Sequence, residues 1–279
     1  MEAPGKLVPV NDTQLHVYRA PRKTERAGAS IVLLSGWGTP CPTYDFKPLW
    51  SLLASRYDVA VVERPGYGWS GRTKRPRDIA TMSDETRSAL REAGMPGPFA
   101  VAAHSISGLE ALHWAQLYPD EVSAIIGLDM AVPQVYESMK VPRSLPLLAR
   151  LARLLRAPLA SCISKGNPAV KAGLLDREEQ AAMRAVIADQ ALNENVVEEA
   201  SCVKDNARTV TEAACPATRA LCILSDDGSM RRQIPAWGQA HRAYFASSDK
   251  AEFLELPCGH YVHGAMPLDV ARAIEGFLG

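Results

Sequence analysis

Short aliphatic runs recur along the chain, and most are followed by a stretch whose apolar positions have helical spacing. Ser30–Leu34, Asp58–Val62, Pro98–Ala102, Val122–Leu128 and Ala220–Leu224 are such runs, and Glu252–Leu256 is a weaker sixth. Near-continuous apolar sequence of this length predicts strands covered on both faces, as in a parallel sheet. Helices are predicted at about residues 44–54, 84–94, 107–118, 233–246 and 266–278. Ahead of them, Lys6–Val10 and Gln14–Arg19 alternate apolar and polar residues around Asn11-Asp12-Thr13, the pattern of a β-hairpin. Strands alternating with helices imply βαβ units and an α/β, doubly wound, mainly parallel sheet. From about Ala131 to Val210 the alternation stops. Only helix-like sequence is present there, including Leu147–Arg156, Asp176–Leu192 and Val196–Thr209. An all-helical insertion after the fifth or sixth strand would form a lid over the C-terminal ends of the strands.

The run Phe99-Ala-Val-Ala-Ala-His-Ser-Ile-Ser-Gly108 breaks from strand to helix at Ser105. A strand that turns sharply into a helix with a serine at its apex is a nucleophile elbow, and the tight turn demands small residues two positions to either side. Ala103 and Ser107 meet that demand in place of the usual glycines, with Gly108 next. The following helix aims its N-terminal N–H groups at Ser105. Three further motifs fall in order around it. They are Ser35-Gly36-Trp37-Gly38 after the third strand, Glu63-Arg-Pro-Gly-Tyr-Gly-Trp-Ser70 after the fourth, and Cys258-Gly-His260-Tyr-Val-His263 after the last. On these four motifs the chain resembles the α/β-hydrolase fold superfamily over nearly its whole length. The resemblance implies an eight-stranded, mainly parallel sheet flanked by helices. Residues 1–131 and 211–279 would form the core, and 132–210 the helical cap.

Composition adds limits. Thirty-one Lys+Arg balance thirty-one Asp+Glu, and no basic run is long enough to track nucleic acid. The first twenty residues lack the apolar stretch of a signal peptide, and no window approaches the ~18 apolar residues of a membrane span. The cysteines at 41, 162, 202, 215, 222 and 258 show no C-x-x-C and no framework spacing, so reduced thiols and a cytoplasmic setting are expected. Neither a nucleic-acid partner nor stable membrane insertion is expected, and a homodimer is compatible with the sequence.

A serine hydroxyl needs a base within hydrogen-bonding reach. The resemblance places that base in the loop after the last strand, which here offers His260. His263 is expected to support the site and His104 to pack away from substrate. His16, His113 and His241 carry no signal. The pair His260-x-x-His263 lacks a third ligand, so no metal site is expected. The acid has two candidate places. Asp129 ends the sixth strand in Ile125-Ile-Gly-Leu-Asp129, where a carboxylate closing an apolar strand needs a partner. Asp226 and Asp227 follow the seventh strand, where much of the family carries its acid, but Ser225 replaces a glycine there and Gly228 stands at the acid's usual spacing. Asp129 is the first choice, with Asp226 or Asp227 as the alternative. The resemblance further implies an oxyanion hole from the backbone N–H groups of Trp37 and Ile106. Glu63–Ser70 is read as a structural turn without a catalytic role.

Within the insertion, Leu147, Leu148, Leu151, Leu154 and Leu155 share one helix face, with Arg150, Arg153 and Arg156 opposite. The expected arrangement buries the leucines over the pocket and leaves the arginines in water. A basic amphipathic helix lying on a membrane is the rival. A leucine roof would suit a small to medium apolar acyl group. The expectation is therefore a carboxylesterase-like serine hydrolase that cleaves a carboxylic ester or related acyl bond of a small molecule through an acyl-enzyme, without a cofactor. Proline-iminopeptidase-like, thioesterase, lactonase and carbon–carbon bond hydrolase chemistry fit the same three residues. Epoxide hydrolases and haloalkane dehalogenases use an aspartate where this chain has Ser105. A ligand-binding or regulatory protein on the same scaffold would usually have lost a triad member or an oxyanion glycine, and this chain keeps both.

Overall fold

The computed structural model describes residues 2–21, 29–136, 142 and 144–279. Lys6–Val10 (β1) and Thr13–Arg19 (β2) form the expected hairpin, with Asn11 at its turn in the left-handed region at φ +52°, which asparagine tolerates. The aliphatic runs form Ser30–Leu34 (β3), Asp58–Glu63 (β4), Phe99–His104 (β5), Val122–Leu128 (β6), Ala220–Ser225 (β7) and Ala251–Leu256 (β8). Every residue of β3, β5 and β7 is buried, as strands covered on both faces must be.

The eight strands make one sheet in the order β1-β2-β4-β3-β5-β6-β7-β8. Pairings β1/β2 and β2/β4 are antiparallel and the remainder parallel. In register, Leu34 lies beside Ala103, His104 beside Leu128, and Leu128 beside Ile223. The C-terminal ends of β3, β5, β6 and β7 are therefore neighbours. The loops that leave the first three carry Gly36, Ser105 and Asp129, β7 ends at Ser225, and the topology alone brings these together.

The helices before the insertion are Pro42–Asp45 (α1), Lys47–Leu53 (α2), Ile79–Glu92 (α3) and Ser107–Leu117 (α4). Those between β6 and β7 are Leu145–Leu154 (α5), Arg156–Gly166 (α6), Pro168–Lys171 (α7), Arg177–Gln190 (α8) and Glu194–Glu212 (α9). Ser229–Gln233 (α10), Trp237–Tyr244 (α11), Val262–Ala265 (α12) and Pro267–Leu278 (α13) complete the chain. Apolar residues of α3, α4, α9 and α11 pack on one sheet face, including Leu90, Leu112, Val203 and Tyr244. Leu49 and Leu53 of α2, with Ile274 and Phe277 of α13, cover the other.

Helix α3 starts at Ile79 rather than near residue 84, because Asp78 caps it by accepting from Thr81 N at 2.9 Å. Its first turns bury Ser83, Glu85 and Thr86, so apolar periodicity hid them. The expected helix over 233–246 is two, α10 and α11, and α6 and α7 fill out the stretch read as helix-like between the spans named there.

The orientation expected for the leucine helix is overturned. Ala149 is the buried residue of α5, whereas Leu147, Leu148, Leu151, Leu154 and Leu155 are each more than half exposed, Leu154 at 79%. Arg153 is only part-exposed and pairs with Glu194 of α9 at the surface. A small residue, Ala149, lets α5 lie flat on its neighbours. The leucines are left outside.

Candidate active site

The chain reverses between β5 and α4 through Ser105, which takes a left-handed φ of +54°. A non-glycine residue there is strained, and the surroundings hold it in place. Ser105 O accepts from Gly108 N at 3.0 Å and from Ala131 N at 2.7 Å. A Cβ at Gly108 would fall 2.2 Å from Ala131 O, so only glycine lets α4 approach the loop after β6 this closely. Ser107, standing where a glycine is usual, is not idle. Its hydroxyl donates to Ser35 O and accepts from Arg64 Nη1 at 2.6 Å.

Asp129 also has a left-handed φ, +48°, and its side chain is fully buried. Four donors converge on it. Oδ2 accepts from His260 Nδ1 at 2.7 Å and from Ser225 Oγ at 2.7 Å; Oδ1 accepts from Ser225 N and from Trp237 Nε1, each at 2.9 Å. Burial pushes this carboxyl up, but the His260 contact and the Ser225 hydrogen bonds outweigh burial and hold it below the usual carboxylate range. The partner that an acid on an apolar strand requires is thus supplied from β7, α11 and the loop after β8. Asp226 and Asp227 turn away. Asp226 is exposed and pairs with Arg231 at 2.9 Å, and Asp227 accepts from Ser229 N at 2.8 Å.

Ser105, Ile106, Gly36, Trp37 and His260 open into one cavity of about 530 Å3. Its remaining walls are largely apolar, with Val135, Tyr136, Leu145, Val203, Met230 and Trp237 among them. A second cavity of about 640 Å3 lies beyond Tyr261, lined in part by Thr39, Asp45 and Asn167. It is larger, yet the serine and His260 face the smaller one.

The loop after β3 is held against the elbow. A Cβ at Gly36 would lie 2.7 Å from His104 Nδ1 and 3.0 Å from Ser105 Cβ. Arg64 donates to Ser35 O at 3.0 Å and is buried between Glu199 at 2.9 Å and Glu110 at 3.6 Å. Tyr67 OH donates to Glu199 at 2.9 Å and accepts from Gly38 N at 3.2 Å. Trp37 Nε1 reaches Val196 O at 2.7 Å. The Glu63–Ser70 segment therefore does more than turn. It sets the loop that carries Trp37 by way of α9, a contact no local pattern announces.

His104 is fully buried beneath the cavity. Its ring lies 4.7 Å from those of His260 and His263, and its Nε2 is 3.2 Å from His260 O. A carbonyl only accepts, so Nε2 carries the proton. Burial first, and then the neighbouring His263 and His260, hold the pKa of His104 well below the usual histidine value. His263 is buried with Nε2 3.0 Å from Asp45 Oδ2. The loop bearing His260 is thus pinned at both ends by imidazoles. Ser225 and Trp237 were missed as site residues, and the one available signal was the hydroxyl of Ser225 where a glycine is usual.

A family model described as the alpha/beta hydrolase family matches residues 31–273. The uncharacterized protein YbdG of Bacillus subtilis is 30% identical over 288 residues, covering 100% of this chain and 86% of its own. A pimeloyl-(acyl-carrier protein) methyl ester esterase of Chromobacterium violaceum is 35% identical over 98 residues, 35% of each chain. Among solved structures, Cfl2 from Burkholderia cenocepacia matches with a TM-score of 0.73 at 18% identity, over 98% of this chain and 95% of that one. The enol-lactonase from Burkholderia xenovorans matches at 0.69 and 18% identity, over 98% and 99%. At such identities the structural likeness is one of fold.

Proposed function

Because the chain belongs to the alpha/beta hydrolase family, we propose that it is a serine hydrolase cleaving a carboxylic ester, or a related acyl bond, of a small to medium apolar substrate. The observation that carries this reading is the joint opening of the Ser105 elbow and the Asp129-paired His260 into one apolar cavity. In the first half-reaction Ser105 Oγ attacks the carbonyl carbon and His260 Nε2 takes its proton. The substrate oxygen gathers negative charge and accepts from the backbone N–H groups of Ile106 and Trp37. Asp129 accepts from His260 Nδ1–H, which leaves Nε2 free as base and stabilises the imidazolium. The tetrahedral intermediate collapses, the bond to the alcohol breaks, and His260 returns the proton to the leaving oxygen. Water then attacks the acyl-enzyme with His260 again as base, releasing the carboxylic acid and restoring the serine hydroxyl.

Apolar walls and a volume of about 530 Å3 favour a modest hydrophobic acyl group. The partial relative named for methyl ester hydrolysis favours an ester over an amide. A fluorophosphonate probe tests the chemistry. It is expected to label wild type and to leave Ser105→Ala unlabelled. An unlabelled, folded wild type, or equal labelling of the variant, ends this reading. A panel of p-nitrophenyl esters of increasing acyl length, run beside aminoacyl anilides, then sets the substrate class.

A further inference from the structure

The outward leucines of α5 need an occupant. A ridge of five, all between 52% and 79% exposed, exceeds what a soluble surface ordinarily leaves bare. Its charge setting is one-sided. Residues 144–175 contain five Lys and Arg and no Asp or Glu, within a chain of zero net charge. Arg150 and Arg156 are exposed, and a cavity of about 530 Å3 beside Leu154 is lined by Arg72, Arg153 and Arg156 with Asp189 as its one carboxylate. Glu194 and Asp189, themselves largely exposed, engage Arg153 and Arg72. Two copies meeting through this face would set like charges against each other, with no carboxylate in the segment to relieve them.

We propose that α5 docks on an anionic phospholipid surface, its leucines entering the acyl boundary and its arginines meeting headgroup phosphates. A deformable apolar layer covers the exposed leucines, and phosphate complements Arg150 and Arg156. Leu145, at the start of the same helix, lines the cavity that holds Ser105, so docking sets that cavity beside the lipid. The docking itself does not depend on the hydrolase reading.

Co-sedimentation of the full chain with phosphatidylcholine vesicles, with and without phosphatidylglycerol, tests it. The Ser105→Ala protein is run alongside, so that failure of docking and failure of catalysis are separable. Expected is binding to the phosphatidylglycerol vesicles that weakens with added salt and is weak on phosphatidylcholine alone. Leu148→Gln with Leu151→Gln, both good helix formers, is expected to lower the affinity at least about tenfold with the circular dichroism unchanged, and Arg150→Glu with Arg156→Glu to do the same. Absence of vesicle binding, or binding unaffected by the leucine pair, overturns the proposal. So does a dimer in sedimentation equilibrium that the leucine pair dissolves, which assigns the face to a second copy. Retention on poly-glutamate without vesicle binding assigns it to an acidic protein.

Discussion

The backbone of the elbow at Ser105 is packed between strands and helix and open only toward the cavity, whereas helix α5 has protein on one side. Strands β3 and β6 flank β5, Gly108 has no room for a methyl group, and Ser105 O holds two backbone N–H donors. Any rotation there would lose packing and hydrogen bonds together. Helix α5 meets the rest of the chain through Ala149, Leu145 and an arginine, with Leu147, Leu148, Leu151 and Leu154 and the following Leu155 outside. Burying a leucine stabilises by roughly 1.5–3 kcal/mol, so five left outside mark a surface completed by something other than this chain. An apolar stripe dictates a facing direction only where the competing side is already filled.

The comparison breaks most visibly at Asp129. Asp129→Asn is expected to lower kcat by about four orders of magnitude while the fold survives, because His260 loses the acceptor that fixes its tautomer. Asp226→Asn, at an exposed pair with Arg231, is expected to leave kcat within about twofold. Steady-state kinetics on both variants decide it, and the reverse outcome moves the acid to the end of β7.

The next contrast sets one leucine against another. Leu109→Ala, on α4 under the elbow and 1% exposed, is expected to cost about 2–5 kcal/mol in urea unfolding. Leu151→Gln is expected to stay within about 0.5 kcal/mol. Comparable losses would mean that α5 turns its leucines inward in solution.

The smallest effect concerns His104. Above about pH 6.5 both folded and unfolded chains hold it neutral. Below that, the unfolded chain takes up a proton that the folded one refuses, so stability falls with pH by up to about 1.4 kcal/mol per unit. Glu85 and Glu110, raised by burial, move stability the other way as acid is added. The readout is therefore the stability difference between wild type and His104→Gln, expected to shrink below pH 6.5.

Much of the fold was legible because β3, β5 and β7 are buried on both faces, and β4 and β6 nearly so, which leaves continuous aliphatic runs in the sequence. The elbow was legible because its sterics act between adjacent residues. Choosing among Asp129, Asp226 and Asp227 was harder, since what separates them is Ser225 and Trp237, nearly a hundred residues or more from Asp129 in the chain. Arg64 read as part of a turn because Glu199, which gives it a reason to be buried, lies on α9. The facing of α5 was misread for a related reason. Its stripe is plain, but it carries no sign of the neighbours, α9 and α6, which meet the Ala149 side.

Helix α9 is also bolted down along its length. Asn195 clasps Thr73, Val196 O holds Trp37, Glu199 meets Arg64 and Tyr67, and Asn206 clasps Arg77 and Ile79. Lifting it would strand the buried Arg64–Glu199 pair, a cost on the order of 3–5 kcal/mol, which slows any such motion roughly a hundred- to several-thousand-fold. Helix α5 reaches the same cavity through Leu145 and is tied to α9 by one ion pair among the described residues. Of these two helices on the cavity wall, α9 is therefore the one fixed in place by buried polar contacts.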